Sequence, residues 1–197
     1  MPAKTTIAML LLAYPLLLLG GTKHAANEYL DERTGATVTV AATPLIFALK
    51  QSILAANSRD YVSLTAVEVD RSGQQSVYLI GYIWSTIDRR GPGKDLRKPR
   101  QYLELLADAR PIALKADADY PADLTDDARL SSPGKKYVAR LAFRVTAEEL
   151  RFVADSRLLL VRMRDESAEE ADDADVYTLW QDGRESLRAF VGLIGPG

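Results

Sequence analysis

The chain has 197 residues, no cysteine and one histidine, and its 25 Lys+Arg against 27 Asp+Glu give a formal charge of −2. That composition removes disulfides, thiolate metal sites, cysteine nucleophiles and thioether lipidation together, and a balance so near neutral argues against a dedicated nucleic-acid binder. The length fits one domain on the usual prior of about 100–200 residues, large enough to bury roughly 70% of its unfolded surface without a covalent staple.

The first segment reads as a leader. Residues 1–6 carry Lys4 and the terminal amine, and residues 7–19 are thirteen side chains without a charge. This is the n-region and h-region pattern of a secretory signal peptide, shorter than the ~20 residues that span a bilayer and kinked by Pro15. The expectation is an exported protein, in the periplasm or on the periplasmic face of a membrane. Residues 1–22 are then a signal peptide or retained anchor, 23–28 a linker and 29–197 a single β-rich domain. A buried N-terminal helix is the competing reading. Gly20, Gly21 and Thr22 supply only a poor version of the small residues that a signal peptidase reads, and Lys23 and His24 are too large for that role.

The elements that follow are short. After the turn-like residues 31–35, Thr37, Val38, Thr39 and Val40 alternate as a strand, Pro44 interrupts, and residues 45–49 continue as a second strand or the other arm of a bent one. Residues 61–69 and 77–87 form a hairpin about Asp70, Arg71, Ser72 and Gly73, where glycine supplies φ > 0. Both faces of its second arm are apolar, with Val77, Leu79, Ile83 and Ile87 on one and Tyr78, Ile80, Tyr82 and Trp84 on the other. Such a strand sits centrally, covered on both sides. A second hairpin joins 102–107 to 111–115 through Asp108, Ala109 and Arg110, and residues 137–145 alternate cleanly.

Thr146 and Glu149 fit a capping box for a short helix. Strands at 158–163 and 176–180 follow, and Asp182 then reads as the N-cap of a final helix whose Leu187, Phe190, Val191 and Ile194 share one side. About eight or nine short strands with frequent turns and two short helices predict a mainly β, antiparallel, immunoglobulin-like sandwich with the helices near the C-terminus. The alternative is an α+β arrangement with helices on one face of an antiparallel sheet.

Leu17, Leu18, Leu19, Gly20 and Gly21 resemble a bacterial lipoprotein lipobox, with Gly21 where the obligatory cysteine belongs. NEYLDERTGATVTV, SLTAVEVDRSG and GYIWSTIDRRG, over the first half of the chain, resemble an uncharacterised family of exported proteobacterial proteins, many of lipoprotein type. The resemblance implies export and no particular activity. The lipid anchor does not carry over, because glycine has no thiol to acylate.

His24, the only histidine, lies in the expected linker, so no Ser-His-Asp triad or multi-histidine zinc site is available, and no nucleotide-binding or nucleophile-elbow motif is present. Two acidic runs stand out, Asp117, Asp119, Asp123, Asp126 and Asp127, and Glu166, Glu169, Glu170, Asp172, Asp173 and Asp175. They lack the spacing of a calcium loop and read as solvated, with weak calcium binding the alternative. No metal or cofactor is expected.

Residues 88–100 hold six basic side chains, Arg89, Arg90, Lys94, Arg97, Lys98 and Arg100, against two acidic ones. Arginine at this density can grip phosphate or carboxylate bidentately on an anionic lipid, an envelope glycan or an envelope protein. The competing reading is a loop neutralised by the protein's own acids. The aromatic line Tyr78, Tyr82 and Trp84 suits either the core or a flat platform for sugars, and Trp180 and Phe190 read as packing. The sequence thus points to a non-catalytic binding or structural module of the envelope acting through its loops. The alternative is a carboxylate-based hydrolase of envelope glycan, which needs paired acids across a groove lined by the aromatic residues.

Overall fold

The computed structural model describes residues 26–50, 60–86, 101–124, 130, 137–164 and 175–194. It contains strands β1 (Ala26–Asp31), β2 (Ala36–Ala41), β3 (Leu45–Leu49), β4 (Asp60–Arg71), β5 (Gln74–Ser85), β6 (Tyr102–Ala107) and β7 (Arg110–Lys115). A 3-10 turn at Ala122–Leu124 precedes β8 (Tyr137–Arg144), helix α1 (Ala147–Asp155), β9 (Leu159–Arg164), β10 (Asp175–Gln181) and helix α2 (Arg184–Leu193).

The local signals are obeyed where turn chemistry is strong. β4 and β5 turn at Ser72 and Gly73, with φ of 55° and 86°, and β6 and β7 turn at Asp108 and Ala109, with φ of 48° and 66°. Both are two-residue turns with two positive φ angles, the geometry that matches the twist of the flanking strands. The Asp70 carboxylate accepts the Gly73 N–H at 2.7 Å and so fixes the first turn. β1 departs from expectation. It begins at Ala26, inside the segment read as linker, and pairs along its length with β2, Ala26 opposite Ala41 and Asp31 opposite Ala36.

Every pairing is antiparallel, and the ten strands form one sheet in the order β1-β2-β4-β3-β10-β9-β6-β7, with β5 on the other edge of β4 and β8 beyond it. The fold is therefore mainly β and antiparallel with two short helices, although its strands make one continuous sheet and are not divided into two facing ones. The sheet curls until Ala116, just past β7, bridges Phe143 of β8, and the Asp117 N–H donates to the Ala142 carbonyl at 2.8 Å. Among the described residues that one bridge joins the edges, and β7 itself pairs with no strand on its outer side.

Two apolar clusters lie on the two sides of β4, β5 and β8. The larger gathers Phe47, Leu64, Leu79, Leu105 and Phe143 with Leu150 and Val153 of α1 and Leu187 and Phe190 of α2. The smaller holds Val38, Val40, Val67, Tyr78, Ile80 and Tyr82 under Leu124 and Leu130 from the β7–β8 connection. β5 is thus covered on both faces, as its sequence requires.

The helices close one end. In α1 the Glu149 N–H donates to Thr146 Oγ1 at 3.1 Å and the Thr146 N–H to Glu149 Oε2 at 2.8 Å, a complete capping box. In α2 the N-cap is Gly183, not Asp182. Asp182 instead accepts the backbone N–H of Arg184 at 3.0 Å and its guanidinium at 2.6 Å. These hydrogen bonds, above all those from the Arg184 side chain, hold its carboxyl below the usual range. Arg184 also donates to the Ser156 and Arg157 carbonyls, tying the start of α2 to the end of α1.

Gly183 takes the cap because space demands it. A Cβ there would lie 2.5 Å from the Pro44 carbonyl oxygen and 2.7 Å from that of Thr43, while the neighbouring Thr43 N–H donates to Ser186 Oγ at 3.0 Å. G183A is expected to lose roughly 1–3 kcal/mol or more through overpacking, lowering the melting temperature by about 2–4 °C per kcal/mol. G192A, on the exposed side of the same helix with no atom within 4 Å of its new Cβ, should gain about 0.5–1 kcal/mol. Equal melting temperatures for the two variants would refute this packing argument.

Candidate functional site

The register of the β4–β5 hairpin sets Tyr61 opposite Trp84. Their rings stack with centroids 4.2 Å apart and planes inclined by 10°. Trp180, on β10 beyond β3, meets Tyr61 edge-on at 6.3 Å and 73°. A register shift between Leu179 and Gln181 lies at this tryptophan, the kind of local irregularity that re-aims a side chain. Tyr61 is buried, Trp84 half-buried, and Trp180 presents 61% of its surface. The result is an exposed indole braced on a rigid stacked pair.

The line expected from sequence is split by the fold. Tyr78 and Tyr82 are 7% and 3% exposed and pack in the smaller cluster, so they line no groove. Tyr78 is further held by Arg144, whose Nη2 donates to its hydroxyl at 3.1 Å while the guanidinium lies 5.4 Å from the ring centroid. Only Trp84 belongs to the exposed cluster, and its indole N–H is buried without a hydrogen-bond partner. Phe190 is core, but Trp180 is not the packing residue its apolar context suggests. Tyr61 was detectable in principle, because counting back from the Ser72–Gly73 turn brings it opposite Trp84. No comparable signal linked Trp180 to either.

The basic candidates Arg89, Arg90, Lys94, Arg97, Lys98 and Arg100 lie outside the described residues, as does His24. The strand that leads to them, β5, ends at Ser85, immediately after Trp84. Alternating strand directions put the outer ends of β3, β5, β7 and β9 at the end of the sheet away from the helices.

Of the acidic runs, Asp126, Asp127, Glu166, Glu169, Glu170, Asp172 and Asp173 lie outside the described residues. Asp123 pairs with Arg71 at 2.5 Å, and Arg33 donates to the neighbouring Ala122 carbonyl, so this part of the run anchors the 3-10 turn to the β4–β5 and β1–β2 turns. Among the described residues no group of three or more His, Cys, Asp or Glu side chains is placed to hold a metal ion.

One carboxylate stands apart. Glu68, in the middle of the sheet, is 7% exposed. Burial pushes its carboxyl above the ordinary value, and the negative charges of Asp70 and Glu28 add to the rise against a hydrogen bond with Thr39. A raised carboxyl favours the folded state at low pH, and that advantage is lost as pH climbs from the ordinary glutamate range through the folded value. E68Q should therefore melt above the parent at pH 8 and level with it near pH 4; a parent that stays level with E68Q at both pH values would show that the burial has no titration cost.

No protein-family model, curated protein or solved structure matches this chain.

Proposed function

We propose that this protein is an exported, non-catalytic binding module of the bacterial cell envelope that attaches to a surface carrying phosphate or carboxylate groups. The observation that carries the reading is the exposed Trp180, braced on the Tyr61–Trp84 stack, beside the end of the strand that leads into the basic segment.

The two chemistries are complementary. An indole has an apolar body and an N–H that stays wet, which suits the boundary between headgroups and acyl chains. Arginine and lysine supply the attraction, since each basic residue near an anionic leaflet is worth about 1 kcal/mol at modest ionic strength. The leader pattern of residues 7–19 brings the domain to the membrane in the first place. A net charge of −2 means that attraction depends on orientation, with the basic segment leading.

The test uses vesicles of phosphatidylglycerol and phosphatidylcholine. The parent should bind them in a salt-sensitive manner, and changing Arg89, Arg90 and Lys94 to Ser together should weaken binding about 100-fold at low salt. W180A should weaken it by a smaller factor that salt does not change. Binding that is equal on pure phosphatidylcholine, or indifferent to the triple substitution, would sink the proposal.

A further inference from the structure

Among the described residues no strand pairs with the outer edge of β7, and the curled sheet stays unclosed there. β8 follows the edge only as far as the bridge between Ala116 and Phe143. It ends at Arg144, one residue past the bridge, and Thr146 then caps α1. α1 therefore faces residues 110–113 across a gap.

The β6–β7 register tells which backbone groups face the gap. The two-residue turn closes on the pair Ala107 and Arg110, so Arg110, Ile112 and Leu114 exchange hydrogen bonds with β6. Pro111 and Ala113 occupy the alternate positions, opposite Leu106 and Glu104, and point their backbone groups outward. Ala113 offers an N–H and a carbonyl, and Pro111 offers a carbonyl alone. Both residues are solvent-exposed.

Between this edge and α1 runs a groove of about 590 Å³. Its walls are Arg110 and Ile112 on the strand side and Glu148, Arg151 and Phe152 on the helix side. The Arg110 guanidinium sits over the Phe152 ring, 4.8 Å from its centroid, and Thr146, Glu149 and Asp155 add polar groups to the lining. The volume lies within the ~300–1,000 Å³ of ligand-sized sites. A groove flanked by an outward N–H and two outward carbonyls at strand spacing is chemically matched to another extended backbone.

We propose that this groove binds an extended peptide segment of a partner protein by strand addition to β7. The peptide donates to the Pro111 carbonyl, exchanges both hydrogen bonds with Ala113, and lays one side chain against Phe152 and Ile112. The walls carry both signs of charge, so the site selects for an extended backbone with a small or apolar residue at its centre and shows little dependence on salt. Pro111 limits the edge to a short ladder, which disfavours indiscriminate pairing with long strands. The site is separate from the Trp180 surface and stands whether or not the chain binds vesicles.

The test pans a phage-displayed library of short random peptides against the folded chain, then measures amide exchange with a selected synthetic peptide. In the free protein the Ala113 amide should exchange fast while those of Ile112 and Leu114 are protected. The peptide should slow Ala113 selectively. A113P removes the outward N–H at a position that does not bond to β6, and should weaken the peptide by at least about fivefold. Selection of no peptide, peptides that leave Ala113 exchange unchanged, or an Ala113 amide already protected in the free protein would each overturn the proposal. Protection of Ala113 that rises with protein concentration and without peptide would also overturn it, by making a second copy the occupant. Should A113P fail to fold, exchange in the parent chain decides alone.

Discussion

The break between β2 and β3 is the constraint on which the rest of the structure turns. β4 is twelve residues long, and one of its edges is shared: its second half pairs with β2 and its first half with β3. Val40 lies opposite Val67 and Leu45 opposite Leu64, so the outer chain passes through four residues, 41–44, where β4 has two, Thr65 and Ala66. Proline has no N–H to give the ladder and tolerates the interruption. The surplus bends the chain, sending β2 off to pair with β1 and β3 towards β10. A bend of this kind exposes backbone polar groups that must be satisfied. α2 supplies the fit, with a glycine where any side chain would collide and the Ser186 hydroxyl accepting the Thr43 N–H.

From that bend follows the division of the apolar residues. Once β2 and β3 diverge, the two faces of β4 and β5 are covered by different things: the helices on one side, the β7–β8 connection on the other. Tyr78 and Tyr82 fall under the second cover, where large aromatic rings bury area that folding needs. Trp84 lies at the fringe of that cover and stacks instead on Tyr61. An aromatic pair of this geometry contributes about 0.5–1.5 kcal/mol beyond its buried area. The unpaired indole N–H of Trp84, which costs on the order of 1–3 kcal/mol where water cannot reach it, offsets that gain. The exposed Trp180 is therefore held by a pair whose geometry is fixed by the hairpin register, at a position where aromatic burial gains the fold little.

Local chemistry was legible and long-range pairing was not. Both hairpins, the break at Pro44, the double burial of β5 and the capping box of α1 were readable because each is decided within a dozen residues by turn geometry, alternation or a cap. β1 was not, because an edge strand with Asn27, Glu28 and Asp31 half in solvent has no alternation to display. The cap of α2 was misread because Asp182 and Gly183 are both acceptable N-caps, and the choice is made by a contact with Thr43 and Pro44 more than a hundred residues away. The single continuous sheet depends on β3 meeting β10 and β6 meeting β9, pairings that leave no local mark. The same reason hides the aromatic cluster: Tyr61 and Trp84 share a hairpin, whereas Trp180 reaches them only through β3.

The two ends of the sheet are built to different rules. At the helical end the turns are short and cross-linked. Asp108, in the β6–β7 turn, accepts the backbone N–H groups of Arg157 and Leu158, and Arg184 joins both helices. Loss of Arg184 leaves the carbonyl of the buried Ser156 without this donor, so that position is constrained by stability. The strand ends at the opposite side lead into the basic segment and the two acidic runs, which carry much of the chain's charge. Within the connection that holds the first acidic run, Asp123, paired with Arg71, and the buried Leu124 and Leu130 still serve the fold. Gly183, Thr43 and Pro44 are held by their mutual contacts, so the constraint on sequence at the helical end is steric and local in space.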